Sequence, residues 1–355
     1  MVRAPPVAAD AEAGVGAAAV NMSDRFGLSW RGELAAGILT NLDRIDCLEI
    51  IADDYLDDRD GVRALRRLAR TRPVTLHSIA IGPAAVVPVE SSRVRKLARV
   101  IGEVEPENWS EHLAWTRAGG VELGHLAAPI RDQATLESTL ENLRRLEKAT
   151  GALPEIENVA SLVDPPGAVM SEAAWLACLL AQCSNGLLLD LENVYANALN
   201  FGFDPEGFLD ALPLDRVRTV HIAGGKWIGD GNGGRRWLDN HLEPVPVAVY
   251  GLLEYLAARA PHPLTVILER DGAFAGMQGL LAELDRARAA VSTGRSRTPA
   301  SPQPRAFEPF RPTPSIPIEE LAHAFVDRDA RAKIPHDPAG MELAAASFAR
   351  KRARK

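Results

Sequence analysis

Leu188-Leu189-Asp190-Leu191-Glu192-Asn193, followed about one structural unit later by Val220-His221-Ile222-Ala223-Gly224, is the stretch that decides the fold. Each half reads as a short buried strand that ends on a carboxylate, carboxamide or imidazole. The pattern recurs at Leu76-His77, Ser110-Glu111-His112, Glu155-Ile156-Glu157-Asn158 and Leu268-Glu269-Arg270-Asp271, with Asp239-Asn240-His241 between the last two strands. One such strand end is ordinary. A series of them at comparable positions in successive units is hard to explain as core packing.

Outward from that stretch the chain alternates strand and helix. Strands are expected at Phe26–Trp30, Cys47–Ile51, Val74–Ile79, Trp109–Trp115, Leu153–Val159, Gly186–Asn193, Arg218–Ala223 and Leu264–Arg270. Helices are expected over 31–43, Val62–Arg70, 91–104, 133–149, from an N-cap at Ser171 to near Cys183, from Asp204-Pro205 through Leu212, over 245–259 and over 274–290. A long glycine-rich connection follows the fourth strand, and Gly224–Trp237 reads as a loop holding six glycines. Near-continuous apolar strands alternating with helices fit an α/β protein with a parallel sheet covered on both sides, closed as a TIM-like (β/α)8 barrel. An open doubly wound sheet competes, but no Gly-x-Gly-x-x-Gly follows any early strand.

The barrel is assigned to residues 24–290. A disordered leader is expected over 1–23, where Pro5-Pro6, Asp10 and Glu12 break any signal or membrane-spanning run. Seven prolines in 299–317 mark 291–317 as an extended linker, and 318–355 as a tail of short helices ending in Arg350-Lys351-Arg352-Ala353-Arg354-Lys355. Residues 291–355 carry 12 basic against 7 acidic side chains, leaving 28 against 40 in the preceding 290. That acidic body argues against nucleic acid as a partner. Cys47, Cys178 and Cys183 make no disulfide framework and read as buried free thiols, so a cytoplasmic protein without membrane attachment is expected.

In a barrel the C-terminal ends of the strands converge on one mouth. Placed there, His77, His112, Glu157, Asn193, His221 and Glu269 combine three imidazoles, two carboxylates and an amide, and Asp239 and His241 can reach them from the loop after the seventh strand. Such a set, without thiolate, suits iron, manganese or zinc. It exceeds what one ion needs, and a carboxylate such as Glu157 or Glu269 can bridge, so two or three metals are expected. Glu49, Asn158, Asp190 and Asp271 are candidates for holding the ligands in place, with Glu49 as an alternative ninth ligand and Arg270-Asp271 as a rim ion pair. Lys226, Trp227, Arg235 and Arg236 on the glycine-rich loop are candidates for a lid that meets the substrate.

Taken in order, these segments resemble the multinuclear non-heme iron-dependent oxidative enzymes, a family that includes the methanobactin-biosynthesis oxidase. The resemblance rests on Leu76-His77-Ser78 with Gly82, Ser110-Glu111-His112-Leu113-Ala114, Ile156-Glu157-Asn158, Leu189-Asp190-Leu191-Glu192-Asn193, His221-Ile222-Ala223-Gly224, Asp239-Asn240-His241 with Pro244-Val245-Pro246, and Leu268-Glu269-Arg270-Asp271. It spans roughly residues 24–290. The resemblance implies two or three iron ions of mixed valence, Fe2+ beside Fe3+, held by His77, His112, Glu157, Asn193, His221, Asp239, His241 and Glu269, with O2 as co-substrate. It also implies oxidation of a residue, often Cys, in a ribosomally made precursor peptide, and in many cases a separate leader-binding partner protein. Two stretches depart from the family pattern. Phe26-Gly27-Leu28-Ser29-Trp30-Arg31 stands in place of Gly-x-Gly-[Leu/Tyr]-Arg, and Asp53-Asp54-Tyr55 in place of Glu-Asn-Tyr. Both lie on loops expected to shape substrate access. The competing readings are a divalent-metal barrel isomerase or phosphoesterase, and a non-catalytic metal- or peptide-binding module.

Overall fold

The computed structural model describes residues 23–297, apart from 119, 120, 230–233 and 275. The tail, residues 1–22 of the expected leader and 298–317 of the expected linker lie outside the described residues. The chain runs β1 (Arg25–Ser29), α1 (Ala35–Leu39), β2 (Cys47–Ile51), α2 (Arg59–Ala69), β3 (Val74–Ser78), α3 (Ser91–Val104) and β4 (Asn108–His112). It continues through β5 (Trp115–Ala118), β6 (Val121–Ala127), α4 (Gln133–Thr150), β7 (Glu155–Glu157), α5 (Glu172–Gln182), β8 (Leu187–Asp190), α6 (Leu191–Phe201) and α7 (Pro205–Asp210). The remainder is β9 (Val217–Ile222), β10 (Gly225–Gly229), β11 (Arg235–Asp239), α8 (Val247–Ala257), β12 (Thr265–Leu268) and α9 (Met277–Ser296). The strands β1-β12-β9-β8-β7-β4-β3-β2 close into a barrel, and every pairing within it is parallel.

Side chains alternate across a strand, and here the two faces differ in kind. Leu48, Ile50, Leu76, Ile156, Leu189, Val220, Ile222, Val266 and Leu268 pack outward with helix residues such as Leu97, Leu143, Leu179, Leu253 and Leu284 in one core. The alternate residues Glu49, His77, Ser110, Glu157 and His221 are buried and meet one another inside the barrel. A barrel interior is usually filled by branched apolar side chains. This one is polar at its upper end.

Several helices start on a side-chain cap. Asp58, Asp132, Ser171 and Asp204 each accept a first-turn backbone N–H, and Pro205 follows Asp204 at the first helical position. Gly151 and Gly202 end α4 and α6 in the left-handed conformation that glycine adopts without strain. α9 continues to Ser296, past the end expected at 290. A Cβ at Gly294 would sit 2.3 Å from the Glu254 carbonyl oxygen, so glycine there lets α9 close onto α8.

Five sequence expectations change. The sixth strand stops at Asp190, and the chain passes directly into α6. The connection after β4 is the antiparallel ribbon β5–β6, and the glycine-rich stretch after β9 is the ribbon β10–β11. Of the cysteines only Cys47 is buried, inside the barrel wall beside Gly27, where burial pushes its thiol up to about 12. Cys178 is exposed and Cys183 half-buried. Arg270 does not pair with Asp271. It turns inward to Glu283 of α9, while Asp271 meets Arg31. Among the described residues no helix is long and apolar enough to cross a membrane.

Candidate metal centre

His77, His112, Asp190 and His221 lie on the last two residues of their strands, Glu157 ends β7, and Glu269 follows β12 by one position. All six are buried. Glu157 sits at their centre. Its Oε2 is 3.3 Å from His77 Nε2 and 3.2 Å from His112 Nε2, and its Oε1 is 3.4 Å from His221 Nδ1. His221 Nδ1 also lies 3.1 Å from Glu269 Oε2. The ligand atoms form two groups, His77/His112/Glu157 and Glu157/Asp190/His221/Glu269, each with its atoms within 4.8 Å of one another. Glu157 belongs to both.

These contacts are close without being hydrogen bonds. Glu157 Oε2, Asp190 Oδ2, Asn193 Oδ1 and His221 Nδ1 are buried and have no hydrogen-bond partner. Other bonds fix which atoms face inward. Glu49 Oε2 meets His221 Nε2 at 2.9 Å and the Ser110 hydroxyl meets His77 Nδ1 at 2.8 Å, leaving His221 Nδ1 and His77 Nε2 to face the carboxylates. Lone pairs that converge in a buried space without donors are costly unless a cation lies among them. The donor set therefore fits bound metal. Glu49 lies where it can orient the His221 ring, since an imidazole that binds metal through one nitrogen is oriented by the partner of the other. Glu49→Gln is expected to weaken metal binding about 10- to 100-fold. A competition titration with a chelator measures this, and an unchanged affinity would remove Glu49 from that role.

The charges point the same way. Burial raises the Glu157 carboxyl to about 7, with Glu269 and Glu49 adding to it and His221 opposing. Burial likewise lifts Asp190 to about 8, helped by Glu157 and Asp239. Burial would lower His221, yet Glu269, Glu49 and Glu157 hold it well above its ordinary value. Burial, with His112 and His221, holds His77 well below. Burial would raise Glu269, but His221, His241 and His77 hold it well below. Carboxylates crowded around His221 thus favour positive charge at the heart of the site.

A second arm comes from β11. Asp239 Oδ1 is 2.7 Å from His241 Nε2, and His241 Nδ1 lies 3.4 Å from Glu269 Oε2 and 3.4 Å from Asp271 Oδ2. His241 has a φ of 52°, a left-handed backbone that a side chain other than glycine rarely adopts. Asp271 accepts from Arg31 at 2.5 Å on its other side, so it buttresses His241 from the rim.

Two residues sit differently from their expected places. Asn193 lies in the first turn of α6, because Asp190 Oδ1 accepts its backbone N–H at 2.8 Å and starts a helix there. Its amide still turns to the mouth side: Nδ2 donates to the Asn158 carbonyl at 2.9 Å and Oδ1 has no hydrogen bond. Asp190, expected to support the ligands, stands among the donors itself. Asn158 is a brace. Its side chain accepts from Asp190 N at 2.9 Å and donates to Asp190 O at 3.0 Å, tying the end of β7 to the end of β8.

Sequence reasoning missed Glu192. It is fully buried, accepts from Trp237 Nε1 at 2.6 Å, and burial with Asp239 lifts its carboxyl to about 9. Its place in the first turn of α6 is what the strand reading hid. Of the expected lid residues, Lys226, Trp227, Arg235 and Arg236 all lie on the β10–β11 ribbon. The Arg235 guanidinium stacks 4.1 Å over the Trp227 ring, which is 39% exposed. Arg236 is taken up by α6, donating to the Asn200 carbonyl and lying 5.9 Å over Phe201.

The family model described as "RiPP precursor modification enzyme MbnB/TglH/ChrH" matches residues 25–292. A UPF0276 protein of Bordetella bronchiseptica is 31% identical over 271 residues, covering 76% of this chain and 93% of that protein. One from Caulobacter vibrioides is 31% identical over 276 residues, covering 77% and 96%. One from Acaryochloris marina is 30% identical over 261 residues, covering 74% and 92%. Among solved structures, 3-keto-D-glucoside 4-epimerase from E. coli superposes with a TM-score of 0.50 at 14% identity, over 75% of this chain and 100% of that one. L-ribulose 3-epimerase gives 0.50 at 15% identity, over 77% and 96%. At such identities the likeness extends to the barrel fold alone.

Proposed function

Because this chain belongs to the MbnB/TglH/ChrH family of RiPP precursor modification enzymes, we propose that its barrel mouth holds two or three iron ions and oxidises a residue, often cysteine, of a ribosomally made peptide with O2. The observation that carries this reading is the Glu157 carboxylate, shared by two groups of converging ligand atoms. A site for one ion has no use for a shared carboxylate at its centre. Iron in mixed valence, when bound, supplies redox capacity and Lewis acidity toward a thiol.

The rest is the work of the protein. His77, His112 and Glu157 hold one side of the centre, and Glu157, Asp190, His221 and Glu269 the other, with Asn193, Asp239 and His241 completing the set. Glu49 and Ser110 fix ring orientation, so the ligands need little rearrangement when the centre loads. The outward-packed Leu, Ile and Val of the strands keep water from approaching through the barrel wall. On the ribbon, the stacked Trp227 and Arg235 offer an apolar face and a positive charge to a peptide crossing the mouth. Capture of the peptide's leader by a separate protein is part of the same proposal.

The test is iron per chain in aerobically purified protein, together with co-expression beside a Cys-bearing precursor peptide read by mass spectrometry. At least two irons and a peptide mass changed only in air are expected. One divalent metal with sugar epimerisation, and no change in the peptide, would hand the site to the isomerase reading.

A further inference from the structure

Helix α6 carries Asn193, Asn197 and Asn200 at the spacing that stacks side chains along one side of a helix. Each turns its amide onto the backbone of a neighbouring segment. Asn193 holds the Asn158 carbonyl, and Asn197 accepts from Ser161 N at 2.8 Å and donates to Val159 O at 2.9 Å. Asn200 reaches further. Its Oδ1 accepts from Trp237 N at 2.7 Å, and its Nδ2 donates to Trp237 O at 2.9 Å and to Ser161 O at 3.1 Å.

We propose that Asn200 is a positioning residue for the Asp239–His241 arm of the metal centre, acting through the backbone of Trp237. The proposal rests on the ligand roles given above for Asp239 and His241. β10 and β11 form a ribbon of two strands only, and such a ribbon has little stability of its own. Trp237 pairs across it with Trp227, and its backbone N–H and C=O both go to Asn200. The buried Asn200 amide thus stands where a third strand would be, with one donor and one acceptor in peptide-like array. Two further bonds bind the same ribbon to α6: Trp237 Nε1 to Glu192, and the Arg236 guanidinium to the Asn200 carbonyl.

The position of that anchor gives it its function. Asp239 follows Trp237 by two residues, and His241 then takes its left-handed backbone. Such a conformation persists only where the surroundings fix it from both sides. Downstream, Asp271 N donates to the His241 carbonyl at 3.0 Å. Upstream, the ribbon is fixed from outside at Trp237, by Asn200 on its backbone and Glu192 on its indole, and only Asn200 sets the path of the main chain. α6 begins at Asp190 and Asn193, inside the donor set, and ends at this anchor. One rigid helix thereby sets the spacing between the β8 side of the centre and its β11 arm.

The test uses the full chain, stripped of metal and titrated with Fe2+ under anaerobic conditions, in wild type, Asn200→Leu and His241→Ala. Leucine keeps the branched outline and removes all three side-chain bonds. Asn200→Leu is expected to weaken one equivalent by at least about 10-fold, the scale seen when ligand-supporting residues are lost, and to leave the others at wild-type affinity. His241→Ala is expected to lose that same equivalent. A merely structural role would weaken every equivalent together and lower the melting temperature of the metal-free protein in proportion, which would overturn the proposal. So would an Asn200→Leu titration identical to wild type while His241→Ala loses its equivalent. A His241→Ala titration identical to wild type would instead overturn the ligand assignment, and the proposal with it. If Asn200→Leu does not fold, Asn200→Asp, which still accepts from Trp237 N, replaces it. One weakened equivalent supports the proposal and none overturns it.

Discussion

Replacement of Glu157 by glutamine is expected to release at least one iron and to abolish peptide oxidation. The argument is one of charge. Two divalent ions about 4 Å apart repel by about 17 kcal/mol at an effective dielectric constant of about 20, and neutral imidazoles between them cancel none of it. Glu157 lies where an anion has most effect, with His77 and His112 on one oxygen and His221 on the other. Glutamine keeps the shape and removes the charge. Glu269→Gln is expected to behave alike, because Glu269 Oε2 approaches both His221 and His241 and so joins the barrel ligands to the β11 arm. By contrast, an outer substitution such as His112→Ala should lower occupancy and leave part of the cluster. Iron per chain with Mössbauer spectra across the series separates these outcomes. Glutamine variants that kept full iron and turnover would show that neither carboxylate bridges.

The second large effect lies beneath the site. Glu283→Ala is expected to destabilise the protein by about 3–5 kcal/mol, because it strands a buried guanidinium. Arg270 is 2% exposed. It donates to Glu283 at 2.9 and 3.0 Å and to the Leu242 carbonyl at 3.1 Å. The same carboxylate accepts from Val245 N at 3.0 Å. This pair ties α9 to the loop that carries His241 and to the residue beside Glu269. For a domain of this size the loss corresponds to a melting temperature lower by roughly 5–10 °C. Thermal unfolding of the metal-free variant is the measurement, and a shift within about 2 °C would show that the pair carries little of the stability.

Much of this was legible in the sequence because a parallel barrel repeats one rule. His77, His221 and Glu269 close largely apolar strands, and His112 and Glu157 stand at the corresponding strand ends, so a period of two and a closed sheet bring them to one mouth. The α6 boundary was not legible. Leu187-Leu188-Leu189 runs into Asp190-Leu191 without a turn residue, and only the Asp190 side chain, bonded to Asn193 N, shows that the helix has begun. That boundary concealed both the place of Asp190 among the converging donor atoms and the burial of Glu192. In Gly224–Trp237, six glycines suggested a loop, although Trp227 and Trp237 are a cross-strand aromatic pair with rings 5.3 Å apart. The partner of Arg270 was out of reach for a different reason. Asp271 is its neighbour in the chain, but Glu283 is its neighbour in space, and only the packing of α9 under the mouth decides between them.

The central claim is that one shared carboxylate holds more than one metal, and anomalous diffraction at the iron edge from crystals of the aerobically purified protein tests it most directly. The account predicts two or three peaks in the mouth, neighbours about 4 Å apart, with the Glu157 carboxylate between a peak near His77 and His112 and another near His221 and Glu269. A single peak, or peaks away from Glu157, would contradict it.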